Sequence, residues 1–292
     1  MDYTIENEFL RVTVTTAGAQ IKSVISKDDA VEHMWGGTPD VWKYHSPVMF
    51  PYAGKVKDGK IEIRGQVIQN APQHGFARTN EHFLVEQSAD TLTLALTPND
   101  TTLALFPYQF RLLSEFRLEG RSVHHTLTVE NHDTEAFTFG IGYHPAFAIP
   151  FDSKHSIEDY EFRFSDMESP ICLAAPKGLL NGCCYPLGTN IRKLAISDGM
   201  FDSGSHCMVN LRSETLGVYE KDSNRAVVCN ISQFPYCLIW SQPGLPHFVC
   251  IEPWHSLPSA EADGYAWDQK PAAAMVQPAS SWSTTMHTAF VR

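Results

Sequence analysis

Hydrophobic and polar residues alternate along most of the chain. Alternation with a period of two places apolar side chains on one face of a β-strand. Each alternating segment has about the length of a strand and ends near Gly, Asn, Asp or Pro, which favour turns. The pattern predicts strands within residues 3–18, 19–26, 60–68, 82–88, 91–98, 110–120, 122–132, 137–144, 206–213, 216–223, 225–232, 236–242, 248–254 and 281–292.

Two regions depart from this alternation. Residues 151–200 are richer in turn residues, and we expect loops and short strands there that cover an edge or rim. Residues 257–268, LPSAEADGYAWD, are compatible with one or two helical turns. No stretch has the period of a long amphipathic helix. The pattern therefore predicts an all-β fold, with residues 1–292 forming a single-domain antiparallel sandwich.

Composition narrows the classes of function. The chain has 292 residues, and the hydrophobic fraction of 43% is enough for a large core. The net charge of −11 argues against a nucleic-acid partner, because phosphates are bound by basic surfaces. The sequence contains no run of 18 apolar residues, so it predicts no membrane-spanning helix. The acidic, polar start MDYTIENEF lacks the layout of a signal peptide, so we expect a cytoplasmic location. Oligomeric state is not readable from the sequence.

Cysteine usage gives no sign of a disulfide framework or a zinc site. The chain contains seven cysteines, an odd number, and no CxxC pair. The adjacent Cys183 and Cys184 do not have the spacing of zinc ligands. Reduced thiols in a cytoplasmic protein are the simplest interpretation.

Candidate chemistry lies in four short stretches that combine charged or titratable residues with turn residues. In chain order they are FPYAGKV (50–56) with Lys55, HGFAR (74–78) with His74 and Arg78, GYHPAF (142–147) with His144, and CIEPWHSLPS (250–259) with Glu252 and Trp254.

Glu252 is the most informative of these residues. The preceding segment is nearly all apolar, and we expect the strand to end at Glu252 because Pro253 follows. A partly desolvated carboxylate has a raised pKa, which suits a general base. The alternative is a structural carboxylate at a strand end, paired with a cation.

The other candidates each have a structural alternative. His144 could be a core histidine with its hydrogen bonds satisfied. His74 could hold a turn before Gly75. Lys55 and Arg78 could be ordinary surface charges. The residues taken one at a time leave these alternatives open.

Together and in this order, the four stretches resemble the aldose 1-epimerase (galactose mutarotase-like) family, most closely its LacX-like and hexose-6-phosphate mutarotase-like members. The resemblance extends over the whole chain and implies a β-supersandwich. It implies that His144 is the general acid, that Glu252 is the general base, and that His74 binds the sugar. Lys55 stands where many members have arginine. A lysine ammonium offers a point charge, whereas an arginine guanidinium can form two parallel hydrogen bonds to one ligand group.

The resemblance also suggests how the sugar is held. Lys55 and Arg78 would bind hydroxyls or an anionic substituent, and Trp254, or an aromatic residue of FPYAG (50–54), would stack on the apolar face of the ring. Some members use an aspartate on a strand after the midpoint of the chain. The nearest candidate, Asp202 in MFDSGSHCMVNL, is shifted, so that role is not transferred to it.

The implied activity is mutarotation, the interconversion of the α and β anomers of an aldose. It needs an acid, a base and a polar cradle, and no metal or redox cofactor. The partner would be a small sugar, either an aldohexose or its phosphate. The alternatives are a hexose-6-phosphate 1-epimerase and a non-catalytic sugar-binding protein on the same fold.

Metal chemistry is a further alternative, with His74, His144 and Glu252 as ligands. Against it, the sequence has no HxH or HExxH spacing. The adjacent His124 and His125 would point to opposite faces of one strand.

Overall fold

The computed structural model describes residues 1–244 and 246–292, and this part of the chain is dominated by antiparallel β-strands. The strands are β1 Asp2–Glu6, β2 Leu10–Thr15, β3 Gln20–Ser26, β4 Val48–Met49, β5 Ile61–Ile63, β6 Gln66–Ile68, β7 Phe83–Gln87, β8 Thr91–Leu96, β9 Phe110–Glu119, β10 Ser122–Asn131, β11 Phe137–Phe139, β12 Gly142–Tyr143, β13 Ala146–Ala148, β14 Tyr160–Glu168, β15 Ile171–Leu173, β16 Cys184–Pro186, β17 Ile191–Ala195, β18 His206–Val209, β19 Thr215–Glu220, β20 Ala226–Asn230, β21 Tyr236–Trp240, β22 Phe248–Trp254, β23 Ala274–Val276 and β24 Ser281–Val291.

Helical structure in the described residues is short, as the lack of helical periodicity predicts. It consists of one α-helix, α1 Asp100–Leu103, and of 3₁₀ turns at Lys57–Gly59, Ala77–Thr79, Ile157–Asp159, Pro176–Gly178 and Trp267–Gln269. None of these helices is long and apolar enough to cross a membrane.

Two large sheets carry the fold. The first has nine strands in the order β17-β14-β19-β20-β24-β10-β9-β8-β7. The second has eight: seven in the order β16-β15-β18-β21-β22-β12-β4, and β13, which pairs with β22 beside β12. Leu127 of the first sheet and Ile251 of the second belong to the same buried hydrophobic cluster. In β9 and β10, buried positions alternate with more exposed ones, which matches the alternation read from the sequence.

Strand β22 is the centre of the eight-stranded sheet and does not end at Glu252 as expected. All seven of its residues, through Pro253 and Trp254, are buried. On one side β22 pairs with β21 along Cys250–Trp254. On the other side it pairs with β13 at residues 248–250 and with β12 at Trp254. Proline is tolerated inside the strand because residues 251–253 have no ladder partner on that side.

The expectation for residues 151–200 was wrong in one respect. Strand β14 is nine residues long and lies inside the nine-stranded sheet, between β17 and β19. Its charged positions are compatible with burial because Glu161 forms ion pairs with Arg163 at 2.6 Å and with Lys193 at 3.0 Å. The rest of the region consists of short strands and turns, as predicted.

The helical turns expected within residues 257–268 are also mostly absent. Residues 257–266 are largely irregular, with one turn at residues 261–262 and isolated bridges at Ala260 and Ala266. A single 3₁₀ turn, Trp267–Gln269, begins only near the end of the segment. Pro258 and Gly264 both disfavour a continuous helix there.

Candidate functional site

A cavity of about 620 Å³ opens on one face of the eight-stranded sheet. Alternate side chains of β22 point to this face, because successive residues of a strand point in opposite directions. The six residues that the sequence singled out all line the cavity: Lys55, His74, Arg78, His144, Glu252 and Trp254.

His144 and Glu252 are in direct contact on the cavity floor. Gly142 pairs with Trp254 and Ala146 with Cys250, and this register places His144 opposite Glu252. The Nε2 atom of His144 lies 3.3 Å from Oε2 of Glu252, and the two side chains are 9% and 2% exposed. A purely structural Glu252 would be paired with a cation. The residue found beside it is a histidine, which can be neutral as well as charged.

Burial sets the protonation of this pair. Desolvation raises the pKa of Glu252 well above its usual value. Desolvation, followed by the positive charge of Arg78, lowers the pKa of His144 to about 3. Both effects favour a pair without net charge that shares one proton. Within the described residues, Oε1 of Glu252 and Nδ1 of His144 have no hydrogen-bond partner.

Both ring nitrogens of His74 have a neighbour: Nδ1 contacts the backbone of Gly54, and Nε2 lies 3.1 Å from the side-chain amide of Gln73, which also lines the cavity. Its backbone has a φ of 63°, in the left-handed region, and its N–H donates to the carbonyl of Gly54 at 2.9 Å. In return the Gly54 N–H donates to Nδ1 of His74 at 3.1 Å. Because Nδ1 accepts, the neutral ring carries its proton on Nε2. Burial holds the pKa of His74 well below the usual value, so this tautomer persists.

The HGFAR stretch is docked on the FPYAGKV stretch by backbone contacts. The N–H groups of Phe76 and Ala77 donate to the carbonyl of Phe50 at 2.9 and 3.1 Å. A Cβ atom on Gly75 would lie 2.1 Å from that carbonyl oxygen, so only glycine allows this approach. The two motifs are therefore adjacent in space, although about 20 residues of chain separate them.

Arg78 extends toward His144 from the same stretch. Its guanidinium lies 4.9 Å from the ring centre of Tyr44, and Nη2 donates to the carbonyl of Gln73 at 2.9 Å. Its Nε is buried without a partner among the described residues, and burial lowers its pKa.

Lys55 and Lys57 lie in different places. Lys55 is exposed at the rim of the cavity, where its Nζ donates to the carbonyl of Lys177 at 3.1 Å. Lys57 is not part of the lining, and its Nζ donates to the carbonyl of Asp263 at 2.7 Å. Lys55, and not Lys57, is therefore positioned to meet a ligand in the cavity.

Asp202 also lies at the rim of the cavity. It is exposed, and its Oδ1 accepts a hydrogen bond from the N–H of Gly244 at 2.9 Å. His206 contacts Tyr185 and the carbonyl of Met200 instead, at 2.9 and 3.0 Å, and is not part of the lining.

Sequence reasoning missed two tryptophans of the cavity wall. Trp42 stacks on His144 with ring centroids 5.0 Å apart, and Trp240 meets the same ring edge-on at 5.5 Å. Trp42 belongs to an aromatic-rich segment without alternation, WGGTPDVWKYHS (35–46), and that composition was the available signal. Trp254 meets His74 edge-on at 5.6 Å.

Comparison with known proteins gives consistent results. The family model described as aldose 1-epimerase matches residues 1–269. Protein LacX (plasmid) of Lactococcus lactis subsp. lactis is 29% identical over 286 residues, which cover 95% of each chain.

Solved structures with the same fold cover nearly the whole chain. A galactose mutarotase related enzyme from Lactobacillus acidophilus has a TM-score of 0.94 at 26% identity, covering 99% of this chain and 97% of its own. A galactose mutarotase-like protein from Lactobacillus casei has a TM-score of 0.91 at 24% identity, covering 100% of both chains. The fold is therefore galactose mutarotase-like.

Proposed function

Because the chain belongs to the aldose 1-epimerase family, we propose that this protein is an isomerase that interconverts the α and β anomers of an aldose. Ring opening needs a base that takes the proton of the anomeric hydroxyl and an acid that protonates the ring oxygen. Both oxygens are bonded to the same carbon. After rotation about the C1–C2 bond, the reverse transfers close the ring on its other face.

The observation that carries this proposal is the contact between His144 and Glu252. The two groups are 3.3 Å apart on the floor of a cavity large enough for a hexose, so they can face two oxygens of a single carbon. Ring opening and ring closure each need one proton to donate and one group that can accept a proton. A pair that shares one proton can supply both. In the family assignment His144 donates and Glu252 accepts in one direction, and the roles exchange in the other.

The surrounding residues have complementary proposed roles. The Nε2–H of His74 exchanges its contact with the Gln73 side-chain amide, 3.1 Å away, for a sugar oxygen, since Nδ1 already accepts from Gly54. Arg78 donates to hydroxyls from the same side. Trp254 supplies an apolar surface for the ring carbons, and Trp42 orients the imidazole of His144. Each proton-transfer group typically contributes about 10²–10⁴-fold to the rate.

A sugar phosphate is the second candidate substrate, favoured by the cations of the cavity. Lys55, Arg78 and Lys177 all line it. Within the described residues, no carboxylate lies within ion-pair distance of any of them, and the lysine ion pairs involve other residues. Unpaired cations at a rim suit an anionic substituent that points away from the reacting carbon.

The experiment compares freshly dissolved α-glucose and α-galactose with their 6-phosphates. Anomerisation is followed by polarimetry or by proton NMR, against buffer alone and against Glu252→Gln. We expect the protein to accelerate at least one of them and the variant to lose that acceleration. Sugar binding without acceleration would instead indicate a non-catalytic binding protein.

Two matched variants then separate the two substrate classes. Lys55→Gln removes the rim cation, whereas Lys57→Gln removes a neighbouring lysine whose Nζ is held by the Asp263 carbonyl. If the substrate is phosphorylated, only Lys55→Gln raises KM for the 6-phosphate. An equal effect of both variants would contradict a phosphate at the rim.

A further inference from the structure

Cys250 lies beside the proposed proton-transfer pair and has no part in the proposed reaction. We infer that His144, Cys250 and Glu252 form a binding site for a thiophilic divalent cation such as Zn²⁺ or Cd²⁺, and that the bound ion excludes the sugar. The inhibition rests on the proposed function, whereas the binding of the ion does not.

The three side chains converge by strand geometry. Cys250 and Glu252 are two residues apart in β22 and point to the same face. His144 faces them from the segment between β12 and β13. One ligand atom from each residue lies within 4.8 Å of the other two.

The closest pair already has the spacing of metal ligands. Nitrogen and oxygen ligands lie about 2.0–2.2 Å from a tetrahedral zinc ion, which separates two of them by roughly 3.4 Å. The distance between Nε2 of His144 and Oε2 of Glu252 is 3.3 Å. The Cys250 sulfur lies within 4.8 Å of both atoms, and its movement toward them would complete three ligands of a tetrahedron.

An unsatisfied buried oxygen points to a ligand at this place. Glu252 is 1% exposed and lines the cavity. Burial raises the pKa of Glu252 and the indole of Trp254 is near enough to lower it in part, but neither Nε1 of Trp254 nor Oε1 of Glu252 has a well-aligned hydrogen bond within the described residues. A buried carboxylate oxygen without a donor costs free energy. A cation on the floor of the cavity would remove that cost.

Charge balance explains why the thiol is needed. Arg78 is close enough to lower the pKa of His144, and its positive charge opposes a second cation. A carboxylate and a thiolate together neutralise a divalent ion, with the neutral imidazole as the third ligand. Binding releases two protons to solvent: the thiol proton of Cys250, whose pKa is raised by burial and by Glu252, and the proton shared by His144 and Glu252. A fourth position would face the cavity and hold water.

The ligand types also select the metal. Sulfur and imidazole suit Zn²⁺ and Cd²⁺, whereas Mg²⁺ and Ca²⁺ require six or more oxygen ligands. A second group of possible ligands, Asp152, His155 and Glu220, does not qualify. There Nη1 of Arg225 lies 2.7 Å from Asp152 and 3.3 Å from Glu220, so a guanidinium already forms ion pairs with both carboxylates.

The test uses Cd²⁺, because a cadmium–thiolate bond has an ultraviolet charge-transfer absorption. The exposed Cys183 and Cys184 are replaced by serine in every protein, so that they do not contribute. We expect one Cd²⁺ per chain, measured by calorimetry, together with the absorption. Cys250→Ser should abolish the absorption and weaken binding by at least about a hundredfold.

Cys207→Ser is the matched control. Cys207 is, like Cys250, a buried thiol; it lines the cavity itself but does not belong to the three-residue group. This variant should keep both the absorption and the affinity. If Cys250→Ser does not fold, as judged by circular dichroism, Cys250→Ala takes its place.

Several results would overturn the inference: no cadmium–thiolate absorption in the parent protein, absorption that survives the loss of Cys250, or absorption that disappears with Cys207. Mutarotation is measured separately in the presence of a chelator. If metal-free protein does not accelerate mutarotation, the proposed function is wrong. If Cd²⁺ gives no cadmium–thiolate absorption, this inference is wrong.

Discussion

The indole ring of Trp42 lies nearly parallel to the imidazole ring of His144, with centroids 5.0 Å apart and an angle of 28° between the planes. The other stacking partner of Trp42 is Phe248, at 5.4 Å and 22°. His144 is thus covered by a layer of aromatic rings, which excludes water from one of its faces and restricts its rotation.

Truncation of this cover should change the titration of His144. Burial is the main cause of its lowered pKa, so Trp42→Ala should raise that pKa from about 3 toward the ordinary value near 6.5. NMR titration of the imidazole measures it. As a control, Trp282→Ala removes a tryptophan that packs on His255 instead, at 4.9 Å. An unchanged pKa in Trp42→Ala would show that the indole is not what dehydrates His144.

Replacement of the pair tests whether it acts as a unit. His144→Asn and Glu252→Gln keep approximate shape and remove the titrating groups, so each should slow anomerisation by at least about a hundredfold. The double variant should lose less than the product of the two, because neither residue can act without the other. Initial rates by polarimetry and urea unfolding of each variant provide the measurement. A variant that folds and retains nearly full rate would remove its residue from the mechanism.

Gly75 should be intolerant of any side chain. In Gly75→Ala the new Cβ would lie 2.1 Å from the Phe50 carbonyl, at a φ of 69°. We expect a loss of several kcal/mol in the free energy of unfolding, combining the steric clash with about 1–2 kcal/mol for left-handed backbone. Gly65→Ala is the control, since it has a φ of 70° with nothing within 4 Å. Equal losses in the two variants, measured by urea denaturation, would contradict the close approach.

A buried histidine should make the fold sensitive to acid. Burial lowers the pKa of His125 to about 3, below its unfolded value near 6.5. Between these values the unfolded chain binds the additional proton. His125 therefore contributes a loss of stability as the pH falls from about 6.5 toward 3, of up to about 1.4 kcal/mol per pH unit.

His125→Phe should flatten this dependence, because the ring stacks on Phe116 and its Nε2 has no partner within the described residues. Urea unfolding at several pH values between 7 and 4 measures the slope. His132→Gln replaces a histidine whose side chain is 59% exposed and should leave the slope unchanged. A slope that His125→Phe does not alter would show that the ring is protonated in the folded protein.

The sequence predicted the positions of most strands, but it did not predict how the strands pair with one another. Alternation predicted β9, β10 and β24, where burial follows the same period. It underrated β14, because the turn residues around this strand outweighed the short alternation of YEFRF (160–164). The ion pairs that stabilise its buried Glu161, with Arg163 and Lys193, are visible only in the folded sheet. Alternation also ended β22 at Pro253, because local propensity does not reveal that one side of a strand is unpaired there.

The candidate site shows the same division. The turn residues around His74 and His144 marked both stretches as unusual. The contact between His144 and Glu252 depends on the register between β22 and the segment from β12 to β13, whose residues are more than 100 positions apart. Trp42 escaped notice because its segment has no period, and only the folded chain places it on His144.

The paired hydrogen bonds between Gly54 and His74 also bear on which sugars the cavity can admit. With Nδ1 occupied by a backbone N–H, Nε2 of His74, which lies 3.1 Å from the Gln73 side-chain amide, can offer a hydrogen but cannot receive one. Any group that reaches it must therefore supply a lone pair. A hydroxyl, ether or carbonyl oxygen meets that requirement, whereas a protonated amine has none to give. An amino sugar whose ammonium falls at this position would be turned away, although its neutral N-acetyl counterpart presents an oxygen and differs mainly in size.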